Sequence, residues 1–126
     1  MLTLSPLVRV YLAAEPTDLR KSFDGLSSIV MARFGKDPLC GHFFVFRNRR
    51  GDQLRVLFWD RTGFALFGKK LARGRFHLAR KVPEGATSVE VESAELLLML
   101  EGIDLAKSVR RKRWRPPPKK DDATIG

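Results

Sequence analysis

Apolar residues recur at helical spacing between Leu19 and Phe34. Leu19, Phe23, Leu26, Val30 and Phe34 form one stripe, while Arg20, Lys21 and Asp24 fall on the other side. The spacing predicts a helix over 19–34, capped by Thr17 or Asp18 and ended at Gly35. Ahead of it, RVYLAAE (Arg9 to Glu15) reads as a first strand stopped by Pro16. Beyond it, VFRNRRGDQLRVLFWD (45–60) places two apolar, aromatic runs around a short basic loop. Asn48-Arg49-Arg50-Gly51 suits a type I turn followed by a left-handed Gly51, which makes a tight hairpin with Asn48 facing Asp52. That register sets Phe46 opposite Leu54 and Phe44 opposite Val56 on one face. Val45, Arg47, Gln53, Arg55 and Leu57 take the other. Arg47, Arg49, Arg50 and Arg55 would then gather at the tip and upper outer face.

Downstream, Asp60-Arg61-Thr62-Gly63 reads as a second turn and leads into a strand from Phe64. Gly74 marks another turn, with a fourth strand expected over Arg75 to Lys81. SVEVE (Ser88 to Glu92) alternates like a short edge strand. A short helix from Ala94 to Glu101 follows, capped by Ser93, with Glu95 suited to its first turn and Gly102 as its stop. Leu96 to Leu100 is apolar all round, so this helix is expected to be buried or to meet a partner. The elements predict an α+β single domain over 1–106. An antiparallel β-meander of four or five strands packs on one main helix, with the short helix near its C-terminal end. From Lys107 the chain is basic and contains Pro116-Pro117-Pro118, so 107–126 is expected to be a disordered basic tail.

Composition fits this organisation. A chain of 126 residues with 44% hydrophobic side chains supports one domain with a real core. The single cysteine, Cys40, excludes an intramolecular disulfide framework and fits a reducing compartment. Arg9 interrupts the apolar N-terminal patches, which makes a poor signal peptide, and no apolar run has the length of a bilayer span. A cytoplasmic, nucleoid-associated protein is the expectation.

Charge changes the picture most. The chain carries 24 Lys+Arg against 14 Asp+Glu, for +10. Residues 44–81 hold eleven basic and two acidic side chains, whereas 82–104 hold six acidic and no basic ones. The last stretch, 105–126, returns to eight basic against two acidic. Segregation into blocks is the footprint of a polyanion binder, although a solvated basic face is the bland alternative.

Other chemistries fit less well. Arg50-Gly51-Asp52 matches an adhesion tripeptide, but the turn accounts for all three residues. Cys40, His42 and His77 lack a recognised metal-ligand spacing. Asp24 is explained by an ion pair with Arg20 one helical turn earlier, and Asp60 by its turn. No nucleophile–base pair or phosphate loop is present, so no enzyme, cofactor, metal or small-molecule substrate is expected. The basic hairpin remains. A two-stranded ribbon fits the DNA major groove, and arginine forks match phosphate and guanine. Arg47, Arg49, Arg50 and Arg55, assisted by Lys69, Lys70, Arg73 and Arg75, are the candidate contacts. Arg110, Arg111, Arg113 and Arg115 of the tail are candidates for a second grip on phosphates.

Several ordered blocks resemble the accessory proteins, called TnpB, of bacterial insertion sequence family 66, over roughly residues 8 to 105. Pro16-Thr17-Asp18-Leu19-Arg20-Lys21-Ser22-Phe23-Asp24-Gly25-Leu26 is similar to the N-terminal signature. Phe44 to Asp52 and Trp59-Asp60 through Gly63 resemble the central one. Lys69-Lys70-Leu71 with Gly74-Arg75-Phe76, and Leu100 to Asp104, resemble the later blocks. Ala72, His77-Leu78 and Leu105 depart from the usual residues. The resemblance implies a helper for DNA transposition, encoded beside a larger transposase that carries the catalytic acids. DNA at the element's ends and that transposase are the partners expected. The rival expectation is an adaptor that binds the transposase through the acidic Leu-rich segment from Glu84 to Asp104 and never touches DNA.

Overall fold

A computed structural model describes residues 7–78 and 81–102. The protein is a single α+β domain, built on a five-stranded sheet in the order β4-β3-β2-β1-β5. The strands are β1 (Val10–Ala13), β2 (Phe43–Arg47), β3 (Gln53–Trp59), β4 (Phe64–Lys70) and β5 (Ser88–Val91). β2, β3 and β4 form the expected antiparallel meander. The sheet as a whole is mixed, however, because β1 runs parallel to β2 and antiparallel to β5. The cause is the main helix itself. Parallel neighbours need a crossover connection, and the helix between β1 and β2 supplies one.

That helix starts later than its apolar spacing suggests. α1 spans Phe23–Ile29 and continues as a π-helical turn, Val30–Phe34, that closes at Gly35 in the left-handed conformation. Residues 16–21 form a turn instead. Asp18 Oδ1 accepts from the Arg20 N–H at 3.0 Å, and the Lys21 N–H reaches the Asp18 carbonyl at 3.3 Å. A local carboxylate of this kind competes with the helix for backbone donors, so the first helical turn waits until Ser22. The expected Arg20–Asp24 pair is replaced by Arg20–Asp18, Nη2 to Oδ2 at 2.9 Å. Leu19 still reaches the core from the turn, whereas Phe23 remains 42% exposed.

Both faces of the sheet are covered. On one, α1 packs Leu26, Ile29, Val30 and Phe34 against Tyr11, Phe44, Phe46 and Leu57. Phe34 meets Phe44 edge-on and Phe46 at a tilt, both with centroids 5.6 Å apart. On the other face, Leu96, Met99 and Leu100 of α2 (Ser93–Leu100) join Phe76 over Val10, Leu12, Val45, Leu54 and Val56. The N-cap of α2 is Glu92, not the expected Ser93, which is the first helical residue: the Glu92 N–H donates to Glu95 Oε1 at 2.8 Å in a capping box. The stretch from Arg75 to Leu78, expected to open a fourth strand, is not a strand over its described residues. Its Phe76 N–H donates to the Gly51 carbonyl at 2.8 Å, which folds it back onto the hairpin. The tail from Lys107 lies outside the described residues.

Candidate nucleic-acid interface

The basic loop is set by Asn48. Its Oδ1 accepts from the Gly51 N–H at 2.9 Å and the Gln53 N–H at 3.1 Å, and its Nδ2 donates to Asp52 Oδ1 at 2.7 Å. Gly51 has φ +79°, the left-handed value expected of it. The Asn48 amide holds the Asp52 carboxyl below its ordinary range, helped by its own backbone N–H and by the charges of Arg50 and Lys70. Asp52 is therefore an ionised strut, and Arg49 and Arg50 project into solvent above it.

The register differs from expectation by one residue. Asn48 pairs with Gln53 rather than Asp52, so the loop is Arg49–Asp52. Phe44 then faces Leu57, Val45 faces Val56, Phe46 faces Arg55 and Arg47 faces Leu54. Such a shift moves every β3 side chain to the opposite face relative to β2. Arg55 thus lies on the α1 face with Phe46, while Arg47 lies on the opposite face with Leu54. The four arginines do not gather on one surface, as the shorter loop would have required.

The remaining candidate cations divide in the same way. Arg47 Nη2 donates to the Ala14 carbonyl at 3.2 Å, and its Nε is buried without a partner. Lys69 Nζ donates to the Leu100 carbonyl on the α2 side. Both are engaged within the fold. Lys70, Arg73 and Arg75 are exposed. The Leu71 N–H donates to the Asp52 carbonyl and the Phe76 N–H to the Gly51 carbonyl, both at 2.8 Å. These two bonds bring the 71–76 loop against the hairpin, so that Arg75 lies beside Gly51 and Lys70 beside Gln53. Arg110, Arg111, Arg113 and Arg115 lie outside the described residues.

Sequence patterning missed the opposite wall of this site. The Thr17 N–H donates to the Arg47 carbonyl at 2.8 Å, which docks the 16–20 turn against the end of β2. A groove of about 500 Å³ opens between that turn and Arg49, Arg50, Gln53 and Arg55. Arg20 lines it, its guanidinium held in a fork by Asp18. Hydrogen bonds from the Arg20 side chain and then its backbone N–H lower the Asp18 pKa from 3.8 to about 2. The clue was the short spacing from Asp18 to Arg20, which reads as a helical cap and equally as a side-chain-closed turn.

At the far end of β3 and β4, Asp60 Oδ1 closes the other turn by accepting from the Thr62 and Gly63 N–H groups at 3.3 and 3.2 Å, the role expected of it. Among the described residues no three His, Cys, Asp or Glu side chains converge as a metal site, and no helix is long and apolar enough to cross a membrane. The arrangement offers hydrogen-bond donors and positive charge at one end of the sheet, which suits an anionic oxygen-rich partner.

Comparison with known proteins agrees with the resemblance in the sequence. The family described as IS66 Orf2 like protein matches residues 8–110. Two relatives come from Sinorhizobium fredii (strain NBRC 101917 / NGR234). "Uncharacterized protein y4jC" is 37% identical over 112 residues, covering 89% of this chain and 92% of that protein. "Uncharacterized protein y4hO" is 38% identical over 116 residues, covering 92% of this chain and 96% of that protein. No solved structure matches. On a match that spans the strands, both helices and both walls of the groove, the chain belongs to the IS66 Orf2-like family of insertion-sequence proteins.

Proposed function

We propose that this protein is a non-catalytic DNA-binding accessory factor in transposition of its insertion sequence. Arg49, Arg50, Lys70 and Arg75 grip backbone phosphates, with Arg55 and Arg73 beside them. The observation that carries the reading is the pair of hydrogen bonds, Leu71 to Asp52 and Phe76 to Gly51, that join two basic segments into one charged end of the sheet. Scattered surface cations would not need such bracing. Phosphate contact of this kind fixes position on a duplex and is independent of sequence.

Titration of labelled element-end DNA at several salt concentrations tests the proposal. Roughly four phosphate contacts give a log K against log salt slope of about −3.6. Reversing Arg49 and Arg50 to Glu should abolish binding, and absence of wild-type binding at low salt would remove the idea.

The adaptor reading draws support from the exposed Glu90, Glu92 and Glu101. It is weakened by α2, whose Leu96, Met99 and Leu100 are consumed by the domain's own core. An adaptor should still capture the transposase after Arg49 and Arg50 are reversed and after nuclease treatment.

A further inference from the structure

The other edge of the sheet carries a cleft of about 1020 Å³ that the DNA reading leaves unused. It runs beside β5, which ends the strand order and so has one flank unpaired among the described residues. Leu7, 87% exposed, lines it together with Val8, Val91 and Ala94. Glu90 and Glu92 line it too, and both are exposed. Glu92 serves in the capping box of α2, and Glu90 meets Arg9 only loosely, at 3.9 Å. An exposed leucine beside two carboxylates suits a cationic segment that carries a large apolar side chain.

Such a segment lies on the same chain. Residues 105–126 hold eight basic against two acidic side chains, with Trp114 between Arg113 and Arg115. We propose that Arg110 to Arg115 dock in this cleft when no nucleic acid is bound, with Trp114 against Leu7 and the arginines on Glu90 and Glu92. The place where the described chain ends supports that direction. A Cβ at Gly102 would lie 3.7 Å from Leu71 Cδ2, and the Leu71 N–H is bonded to the Asp52 carbonyl. The chain therefore leaves the domain beside the basic hairpin, which repels it by like charge. Residues 82–104, with six acidic and no basic side chains, attract it to the other edge.

Reach is sufficient. Four strand spacings separate β4 from β5, or roughly 19 Å. Arg110 comes eight residues after Gly102, and eight extended residues span up to about 26 Å. A tether of this length sets a local concentration on the order of millimolar, so weak surface charge pairs suffice. Docking also covers the acidic surface that an adaptor would need. A polyanion held at the hairpin reverses the sign of charge there and draws the arginines away. This last step alone rests on the DNA reading.

Carbodiimide cross-linking of the full chain at low salt tests the docking, because it joins only a lysine and a carboxylate in contact. Lys112, inside the arginine run, should link to Glu90 or Glu92. In a mixture of light and isotope-labelled protein the links should stay within one label. Arg110→Gln, Arg111→Gln, Arg113→Gln and Arg115→Gln together should lower the link about tenfold. The same variant should shift the amides of Val8, Val91 and Ala94 and leave those of Gly51 and Gln53 in place. Absence of the link, or unmoved amides at the cleft, would overturn the docking. Links between labels would overturn it too, by giving the cleft to the tail of a second copy. Element-end DNA should erase the link. A link that survives bound DNA would keep the docking and remove the release. A chain that binds no DNA would remove the proposed function, and the link would still decide the docking.

Discussion

Arg75 lies against Gly51. A β-carbon at Gly51 would meet the Cβ and Cδ of Arg75 at 3.6 Å, and the neighbouring Phe76 N–H is bonded to the Gly51 carbonyl. The contact distance is ordinary, so the demand for glycine comes from its φ of +79°. Gly51→Ala should cost about 1–2 kcal/mol, the penalty of left-handed backbone for an L-residue. Chemical denaturation reads this directly. Arg49→Gln and Arg50→Gln, two and one residues away, should leave stability within about 0.5 kcal/mol. Loss of stability in the arginine variants comparable to that of Gly51→Ala would show that the tip is structural.

Lys69 and Lys70 are neighbours with opposite employment. Lys69 donates to the Leu100 carbonyl and ties β4 to α2, whereas Lys70 is exposed beside Gln53. Lys69→Gln should lower stability and spare the salt dependence of DNA binding. Lys70→Gln should do the reverse, reducing the slope by about 0.9. The same paired result for both variants would contradict the strand's alternation.

Acid should act on the 16–20 turn in a defined window. The folded pKa of Asp18 is depressed, from 3.8 to about 2, first by the Arg20 side chain. Its stabilisation is therefore complete above the higher value and is lost as pH falls toward the lower one. Asp52 contributes with the same sign through the Asn48 amide. Asp18→Asn should flatten stability against pH between about 3.8 and about 2. Urea unfolding across that window checks it, and a slope equal to that of the wild type would contradict the assignment. Added salt should shrink the difference, since both groups face solvent.

The aromatic stripe of the main helix also divides. Phe34 is 7% exposed between Phe44 and Phe46, and Phe34→Ala should cost about 3–5 kcal/mol. Phe23 precedes the first packed turn at 42% exposure, and Phe23→Ala should cost about 1 kcal/mol or less. Equal losses in thermal unfolding would restore a helix beginning at Leu19.

Why the helix start escaped periodicity is visible at Asp18. Spacing reports which residues are apolar, and Leu19 is buried by the turn as well as it would be by a helix. The hairpin was legible through Asn48 and Gly51, since only special side chains suit that loop. Its register was not, because α1 and α2 cover opposite faces and leave Val45, Leu54, Val56 and Leu57 all buried. Alternation fixes register only where one face is wet. The turn at Asp60 and the stop at Gly35 were readable for the same reason as the hairpin loop, whereas the α2 cap was misplaced by one residue, because Glu92 serves in a capping box as Ser93 would have. The groove was not readable, since the bond from Thr17 to Arg47 joins segments with no shared pattern.

The position of β1 between β2 and β5 carries a kinetic consequence. The β2–β3–β4 meander closes short loops and can form early, carrying the basic tip with it. β1 must bridge to β5, where Val10 meets Val91 across nearly the whole folded chain. Closure over so long a span is the slow step in contact-order terms. On the ribosome, the first strand therefore waits for almost the last to emerge. Until then one flank of β1 is an unpaired apolar edge, open to capture by another chain.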